Sequence, residues 1–467
     1  MFGAGTEEYL MTLGVLAAFI GTLVSGILSR HSIGKLLKNM QLNRWHMLMA
    51  VAILALFVIL EAAIVKPTQQ LFFDDVIYQG GALDLLHMGQ AWMCNYGTPT
   101  SCILGQVFHE PVGTALNIAI GFALFGVRQA TAFNTMFALA ALSVLLTFFV
   151  ALLLFRNTKA ALFSELFMAL SPALLVWARP TTSDIPSLAY TLLAMFALVV
   201  FVREKNIRTF TFFGMATVLA TYMRIENIIY IVLLPVMYVL LDKGGVLTSL
   251  HRNLRLLKDN MFNIGFLAVL LVIIITTGIE AGYVLQQHSV VNNFGYQNTS
   301  IKNTCNTSQH IKANSTFSLE YLRMNICSNV FFWFNAYNIK ANSTFSLEYL
   351  KLNICANVLF CFNAYNSTGY NYYIMQPAIF TIFALIGIVV LAFADRKPLY
   401  AVGLWFIAIF VLFGMFYAGS FTYGVDWRFS LGMIAQASLF SGYGAYGIIE
   451  GAKALPKILI RAKQKHR

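Results

Sequence analysis

The chain has 467 residues, of which 59% are hydrophobic and only 11% charged. A soluble chain of this size carries about a quarter charged residues, so too few charges remain here to cover a globular surface, and lipid must be the solvent. The formal net charge of +12 does not point to nucleic acid, because the basic residues fall in short loops and at the C-terminus, where they orient membrane spans.

Apolar segments long enough for a hydrocarbon core of about 30 Å recur along the chain. They predict an all-α polytopic membrane protein of about eleven transmembrane helices, near 8–29, 46–65, 130–155, 160–177, 185–202, 209–223, 227–241, 261–279, 374–394, 399–417 and 429–448. The first is not read as a cleaved signal, since Glu7 and Glu8 precede it and Arg30, Lys35, Lys38 and Arg44 follow it. With the N-terminus outside, the loops 30–45, 156–159, 203–208, 242–260 and 395–398 and the tail 449–467 lie inside. These segments hold 21 of the 31 Lys and Arg and 5 of the 19 acids, which supports that orientation. The apolar stretch Pro111–Gly126 is not read as a span, because a crossing there would turn every later basic loop outward. It is expected in the interface or as a re-entrant piece. Four regions follow: an extra span with its basic loop (1–45), a core with an external loop at 66–129 (46–279), a second external loop (280–373), and the last spans and tail (374–467).

All six cysteines (Cys94, Cys102, Cys305, Cys327, Cys355 and Cys361) fall in the two external loops, as suits an oxidising compartment. Their connectivity is left open. Residues 311–338 recur as 339–366 with 23 of 28 positions identical. Two copies do not make a solenoid. The duplication marks a loop that tolerates insertion, so the active site is expected elsewhere. Asn298, Asn306, Asn314, Asn342 and Asn366 open glycosylation sequons on the same side.

Charged groups at membrane depth are costly and usually functional. In this topology the outer ends of the helices collect Asp74, Asp75, Asp84, His109, Glu110, Arg128, Arg179, Asp184, Arg224, Glu226, Asp426 and Arg428, from six places in the chain. The adjacent Asp74 and Asp75 suit a metal, the deprotonation of a hydroxyl, or a helix cap. Four arginines at one depth suit an anionic headgroup, since guanidinium donates paired hydrogen bonds to phosphate. Taken singly, each arginine is as well explained by snorkelling or an ion pair, Arg179 with Asp184 and Arg224 with Glu226. His109 suits a metal, a substrate or a structural role. Glu61 and Glu165 lie within spans without an evident purpose. The sequence holds no phosphate-binding GxxxxGK[ST] loop, no HExxH and no GxSxG.

Five blocks carry a family resemblance. FFDDVIYQGGALDLL resembles the acidic motif in the first external loop of GT-C glycosyltransferases, which include protein O-mannosyltransferases and lipid A aminoarabinose transferases. HEPVGTALNIAIGFALFGVRQATAF resembles their next block, where a juxtamembrane helix is followed by Arg. SPALLVWARPTTSDIPSL, ATYMRIEN and YAGSFTYGVDWRFSL are similar to later blocks, the last to a Gly-x-Asp-x-Arg-Phe motif of many prokaryotic members. The resemblance covers roughly 46–241 and 399–448. Three departures stand out: Asp75 replaces the usual Glu, Glu110 replaces Pro, and no large soluble C-terminal domain or Trp-Trp-Asp appears, which speaks against an oligosaccharyltransferase.

The resemblance implies a GT-C-like bundle with juxtamembrane helices in the first external loop. It also implies an inverting transfer from a polyprenyl- or dolichyl-phosphate sugar to a hydroxyl of a protein, lipid or glycan. Asp74 is then the general base and Asp75 its neighbour in catalysis. Arg128, Arg179, Arg224 and Arg428 would hold the donor phosphate, and Tyr78, His109, Glu110, Asp184, Glu226 and Asp426 would orient the acceptor or substrate. No cofactor is required throughout the family; a divalent cation, Mg2+ or Mn2+, would sit on Asp74, Asp75 and His109. The last motif points to a prokaryotic, archaeal plasma membrane with the site facing outside, rather than to the endoplasmic reticulum. The competing expectation is a transporter or flippase for a lipid-linked or anionic solute, which predicts charges at mid-bilayer and an inverted repeat. A non-catalytic scaffold leaves the common depth of the acids and arginines without purpose.

Overall fold

The computed structural model describes residues 4–40, 42–64, 72–89, 112–242, 271–279, 378–416 and 431–465. The six cysteines, the duplicated segment, the five sequons, His109, Glu110, Asp426 and Arg428 lie outside the described residues.

Every described element is helical. In chain order they are α1 (Ala4–Asn39), α2 (Arg44–Ile64), α3 (Phe72–Met88), α4 (Val112–Phe125), α5 (Gln129–Phe155), α6 (Thr158–Ala169), α7 (Pro172–Trp177), α8 (Asp184–Glu204) and α9 (Ile207–Thr221). A 3-10 turn (Ile225–Ile229) then leads into α10 (Tyr230–Leu241), and α11 (Ala378–Ala394), α12 (Arg396–Phe416) and α13 (Leu431–Lys465) complete the order. Four segments of described chain, Tyr9–Asn39, Arg44–Ala63, Gln129–Phe155 and Asp184–Glu204, are long and apolar enough to cross a membrane.

Local sequence explains where the helices stop and start. Asn157 caps α6 by accepting the Ala160 N–H at 3.0 Å. Asn206 and Thr209 form a reciprocal capping box at the start of α9. The expected span 160–177 is divided in two, because Pro172 disfavours helical backbone at Ser171. The expected span 227–241 begins as the 3-10 turn and carries Pro235 inside α10. The segment withheld from crossing becomes α4, whose 14 residues reach about 21 Å, short of a hydrocarbon core of about 30 Å.

α8 is the central helix: from Asp184 to Val202 every residue but Leu193 is buried. Around it pack α5, α9, α13 and α10. α2 presents only a narrow stripe, Ala50, Phe57 and Glu61, to the protein and turns Leu48, Val51 and Ile59 outward, as a lipid-facing helix must. α11 and α13 approach at backbone contact. A Cβ on Gly444 would lie 1.9 Å from the Phe383 carbonyl oxygen, so only glycine permits this crossing.

One end of the bundle is basic. Lys35 of α1 meets Glu204, Arg203 donates to the Leu153 carbonyl oxygen at 2.9 Å, and Lys205 pairs with Asp242. Lys397 donates to the Asp242 carbonyl oxygen at 2.7 Å, and Lys159 pairs with Glu450 at 3.0 Å. These residues come from the segments that charge counting assigned to the inside, now joined by contacts between helix ends.

Candidate active site

The opposite end of the bundle is organised by the connection between α7 and α8, residues 178–183. Within six positions of chain, 179–184, it reaches α2, α3 and the segment after α9.

Arg179 makes a two-pronged pair with Glu61 of α2. Its Nη2 donates to Oε2 at 2.7 Å, and its Nε meets Oε1. The guanidinium also lies over the Phe137 ring, 5.2 Å from the centroid, and Phe137 stacks on Phe57. The Glu61 side chain is fully buried. A carboxylate in an apolar span needs a partner fixed in geometry, and the planar guanidinium supplies one. The expected Arg179–Asp184 pair is therefore not formed.

Two residues on, Thr181 holds α3. Asp75 is fully buried, and its Oδ1 accepts the Thr181 backbone N–H at 2.5 Å and the Thr181 hydroxyl at 2.6 Å. The same hydroxyl oxygen accepts from Gln79 Nε2 at 3.1 Å. Asp75 and Gln79 are one helical turn apart, so a single threonine fixes one face of α3. Asp74 is in the same helix, one residue before Asp75. Tyr78 is 1% exposed and faces the protein. Asp84 lies further along α3, half-buried, and burial raises its carboxyl above the usual range against the opposing pull of His87.

Asp184 opens α8 and pairs with Arg224, whose Nε also donates to Glu226 at 2.9 Å. The Arg224–Glu226 pair is as expected, and Arg224 also takes Asp184. Asn227 donates to the Ala220 carbonyl oxygen at 2.7 Å and bonds Ser187 of α8. The start of α4 rests on the same stretch. The Gly113 N–H donates to the Tyr222 carbonyl oxygen at 3.0 Å, and Asn117 accepts from the Tyr190 hydroxyl at 2.7 Å. A Cβ at Gly113 would lie 2.4 Å from the Tyr222 oxygen, so this contact requires glycine.

The three described arginines thus divide. Arg179 and Arg224 are engaged by carboxylates. Arg128, at the N-cap of α5, is exposed and its side chain has no partner among the described residues. Thr181 and Gln79 were missed by the sequence reading because they are uncharged, and the purpose of Glu61 stayed hidden because its partner lies 118 positions away. Among the described residues no three His, Cys, Asp or Glu side chains gather as a metal site. Glu165 is buried on α6 with neither carboxyl oxygen partnered among the described residues.

Residues 109–279 match the family model described as dolichyl-phosphate-mannose-protein mannosyltransferase. No curated protein sequence matches the chain. Among solved structures, the apo oligosaccharyltransferase of Archaeoglobus fulgidus is similar at a TM-score of 0.50 and 13% identity, over 90% of this chain and 52% of that one. AglB, the oligosaccharyltransferase of that archaeon in complex with an inhibitory peptide and a dolichol-phosphate, gives 0.49 and 13%, over 90% and 52%. Apo ArnT from Cupriavidus metallidurans gives 0.47 and 14%, over 90% and 63%. The chain spans about half the length of the archaeal enzyme, and at such identity the likeness is one of fold. Over residues 109–279 the chain thus resembles the mannosyltransferase family model, and over most of its length it shares the helical fold of the archaeal oligosaccharyltransferase.

Proposed function

We propose that the chain transfers a sugar from a polyprenyl-phosphate donor to an acceptor hydroxyl on the extracytoplasmic side of the membrane, with inversion and with Asp74 as general base. The observation that carries the reading is the acidic turn of α3, buttressed by Thr181 at the end of the bundle opposite the basic contacts. The basic end is read as cytoplasmic, since Lys and Arg are retained there. The matching family model, whose description names a dolichyl-phosphate-mannose donor and a protein acceptor, supports a lipid-linked sugar for this chain too.

Asp74 would accept the proton of the acceptor hydroxyl as its oxygen forms a bond to the anomeric carbon. The bond from that carbon to the lipid phosphate oxygen breaks, and its electron pair leaves with the polyprenyl phosphate, which needs no proton. Arg128 and Arg428 are assigned to the phosphate, because Arg179 and Arg224 already face carboxylates. Asp75 is assigned to holding α3 rather than to proton transfer. The acceptor class, whether protein, lipid or glycan, is set by His109, Glu110 and Asp426 together with the external loops. The reaction so written needs no metal; a divalent cation would draw on Asp74 and His109, and transfer that persists in a chelator is the expected result.

The test is transfer from a labelled polyprenyl-phosphate hexose in membranes, with wild type compared to Asp74→Asn at equal expression. Transfer lost in the variant, with donor binding retained, is the expected outcome. Undiminished transfer sinks Asp74 as base. No transfer from any donor, with lipid moving between leaflets, overturns the enzyme in favour of a flippase.

A further inference from the structure

Glu61 is costly where it stands. It is a fully buried carboxylate on a helix that otherwise turns mostly apolar side chains outward. Its two oxygens both go to Arg179, and Arg179 is two residues from Thr181 in the same connection. Pro180 lies between them and narrows the backbone freedom that separates the two contacts. Thr181 in turn gives both its N–H and its hydroxyl to one oxygen of Asp75. A short, stiff chain of contacts therefore runs from the outer end of α2 to the acidic turn of α3.

We propose that Glu61 is a positioning residue for the acidic pair: through Arg179 it fixes the 178–183 connection, and through Thr181 that connection fixes Asp75 and the register of Asp74 at the site. The proposal deepens the glycosyltransferase reading and rests on it for its kinetic consequence, whereas its structural consequence stands independently of any activity. Glu61 touches neither donor nor acceptor in this scheme. Its removal should change the rate of the chemical step rather than the affinity for donor, because a base displaced by a fraction of an ångström still leaves the phosphate site intact. The cation–π contact of Arg179 with Phe137 keeps the guanidinium on the bundle when the carboxylate is neutralised, so Glu61→Gln is expected to loosen the link without emptying it.

The experiment is backbone hydrogen exchange by mass spectrometry on the purified full chain in detergent, together with donor kinetics in membranes. In Glu61→Gln, exchange should rise about tenfold in peptides covering both 178–183 and 72–80, with 207–221 unchanged. In parallel kcat should fall about 10- to 100-fold with donor KM within about twofold. Glu61→Asp, which keeps the charge on a shorter arm, should recover most of both losses; it carries the same measurement if Glu61→Gln does not fold. Faster exchange confined to 178–183, with 72–80 as protected as in wild type, overturns the proposal, as does a loss expressed in donor KM with kcat retained. A wild-type chain that transfers no sugar sinks the glycosyltransferase reading alone, and the exchange pattern then still decides whether Glu61 holds α3.

Discussion

Replacing Asp75 separates its holding role from the catalytic role proposed for Asp74. Its Oδ1 accepts two hydrogen bonds from Thr181, at 2.5 and 2.6 Å, inside a fully buried contact. Hydrogen bonds to a charged group are worth about 1.5–3 kcal/mol each, and a buried donor left without an acceptor costs ~1–3 kcal/mol. Asp75→Ala removes the charged acceptor and strands the Thr181 N–H, while the Thr181 hydroxyl keeps only the Asp75 carbonyl oxygen at 3.2 Å, so the loss is about 3–5 kcal/mol. For a chain of this size that lowers a thermal midpoint by about 5–10 °C. Asp75→Asn keeps an oxygen acceptor without its charge, and its loss should be under about half of that. Asp74→Asn, in contrast, relieves repulsion between adjacent carboxylates, and its midpoint should equal or exceed that of wild type. The assay is a thermal aggregation or fluorescence midpoint of the solubilised chain, read beside transfer activity. An Asp75→Ala midpoint within about 1 °C of wild type would refute the assignment of Asp75 to holding α3.

Arg128→Ala should raise donor KM about tenfold without moving the thermal midpoint, because its side chain is exposed and unpaired among the described residues. Arg224→Ala should instead cost about 3–5 kcal/mol of stability, since it leaves Asp184 and Glu226 without their shared cation; equal effects of the two substitutions on donor KM would contradict this division. Gly113→Ala should cost about 1–3 kcal/mol through its clash with the Tyr222 carbonyl, while Gly80→Ala, with open space around it, should be stabilising by about 1 kcal/mol; midpoints of both variants check the pair. Burial raises the Asp84 carboxyl, so its charged form weakens the fold at neutral pH and that penalty fades as pH falls through its folded-state titration towards the ordinary 3.8. Asp84→Asn should therefore raise the midpoint near pH 7, and the gain should shrink as the pH is lowered to about 4.

The helices and the gathering of basic residues at one end were legible because periodicity, length and Lys/Arg counts act locally. Asn157 and Asn206 mark helix starts for the same local reason. Pro172 also carried its signal, but an apolar run of adequate length overrode it, and 160–177 was read as a single span rather than as α6 and α7. Partner choice was the part that sequence did not carry. Arg179 and Asp184 are five positions apart and of opposite sign, yet the chain folds so that Arg179 turns to α2 while Asp184 opens α8 toward Arg224. Glu61 stood out in its span as a costly carboxylate, but nothing local named Arg179 as its partner, and only the fold supplies that pairing. The same rule applied to Glu165 finds no partner among the described residues.

The pairing pattern changes the electrostatic reading of the site. Four arginines at one depth suggested a ready cradle for phosphate. Folded, the described part of that cluster brings Glu61, Asp75, Asp184 and Glu226 against Arg179 and Arg224 only, so its formal charge is negative rather than positive. A phosphate placed there would meet guanidiniums whose donors already face carboxylates, and it would be repelled by the surplus acid. In the proposed reaction the cluster suits the opposite half, the uptake of a proton, since surplus negative charge favours a positive charge arriving beside it. The phosphate of the proposed donor would then be met by cations held apart from this cluster. Arg128 fits that requirement, since it caps α5 nine residues before the Phe137 on which Arg179 lies, about 13 Å along the helix axis. Separating the two charges in this way would let the acceptor hydroxyl lose its proton while the donor phosphate departs as an anion, without the acid that serves the first step weakening the second.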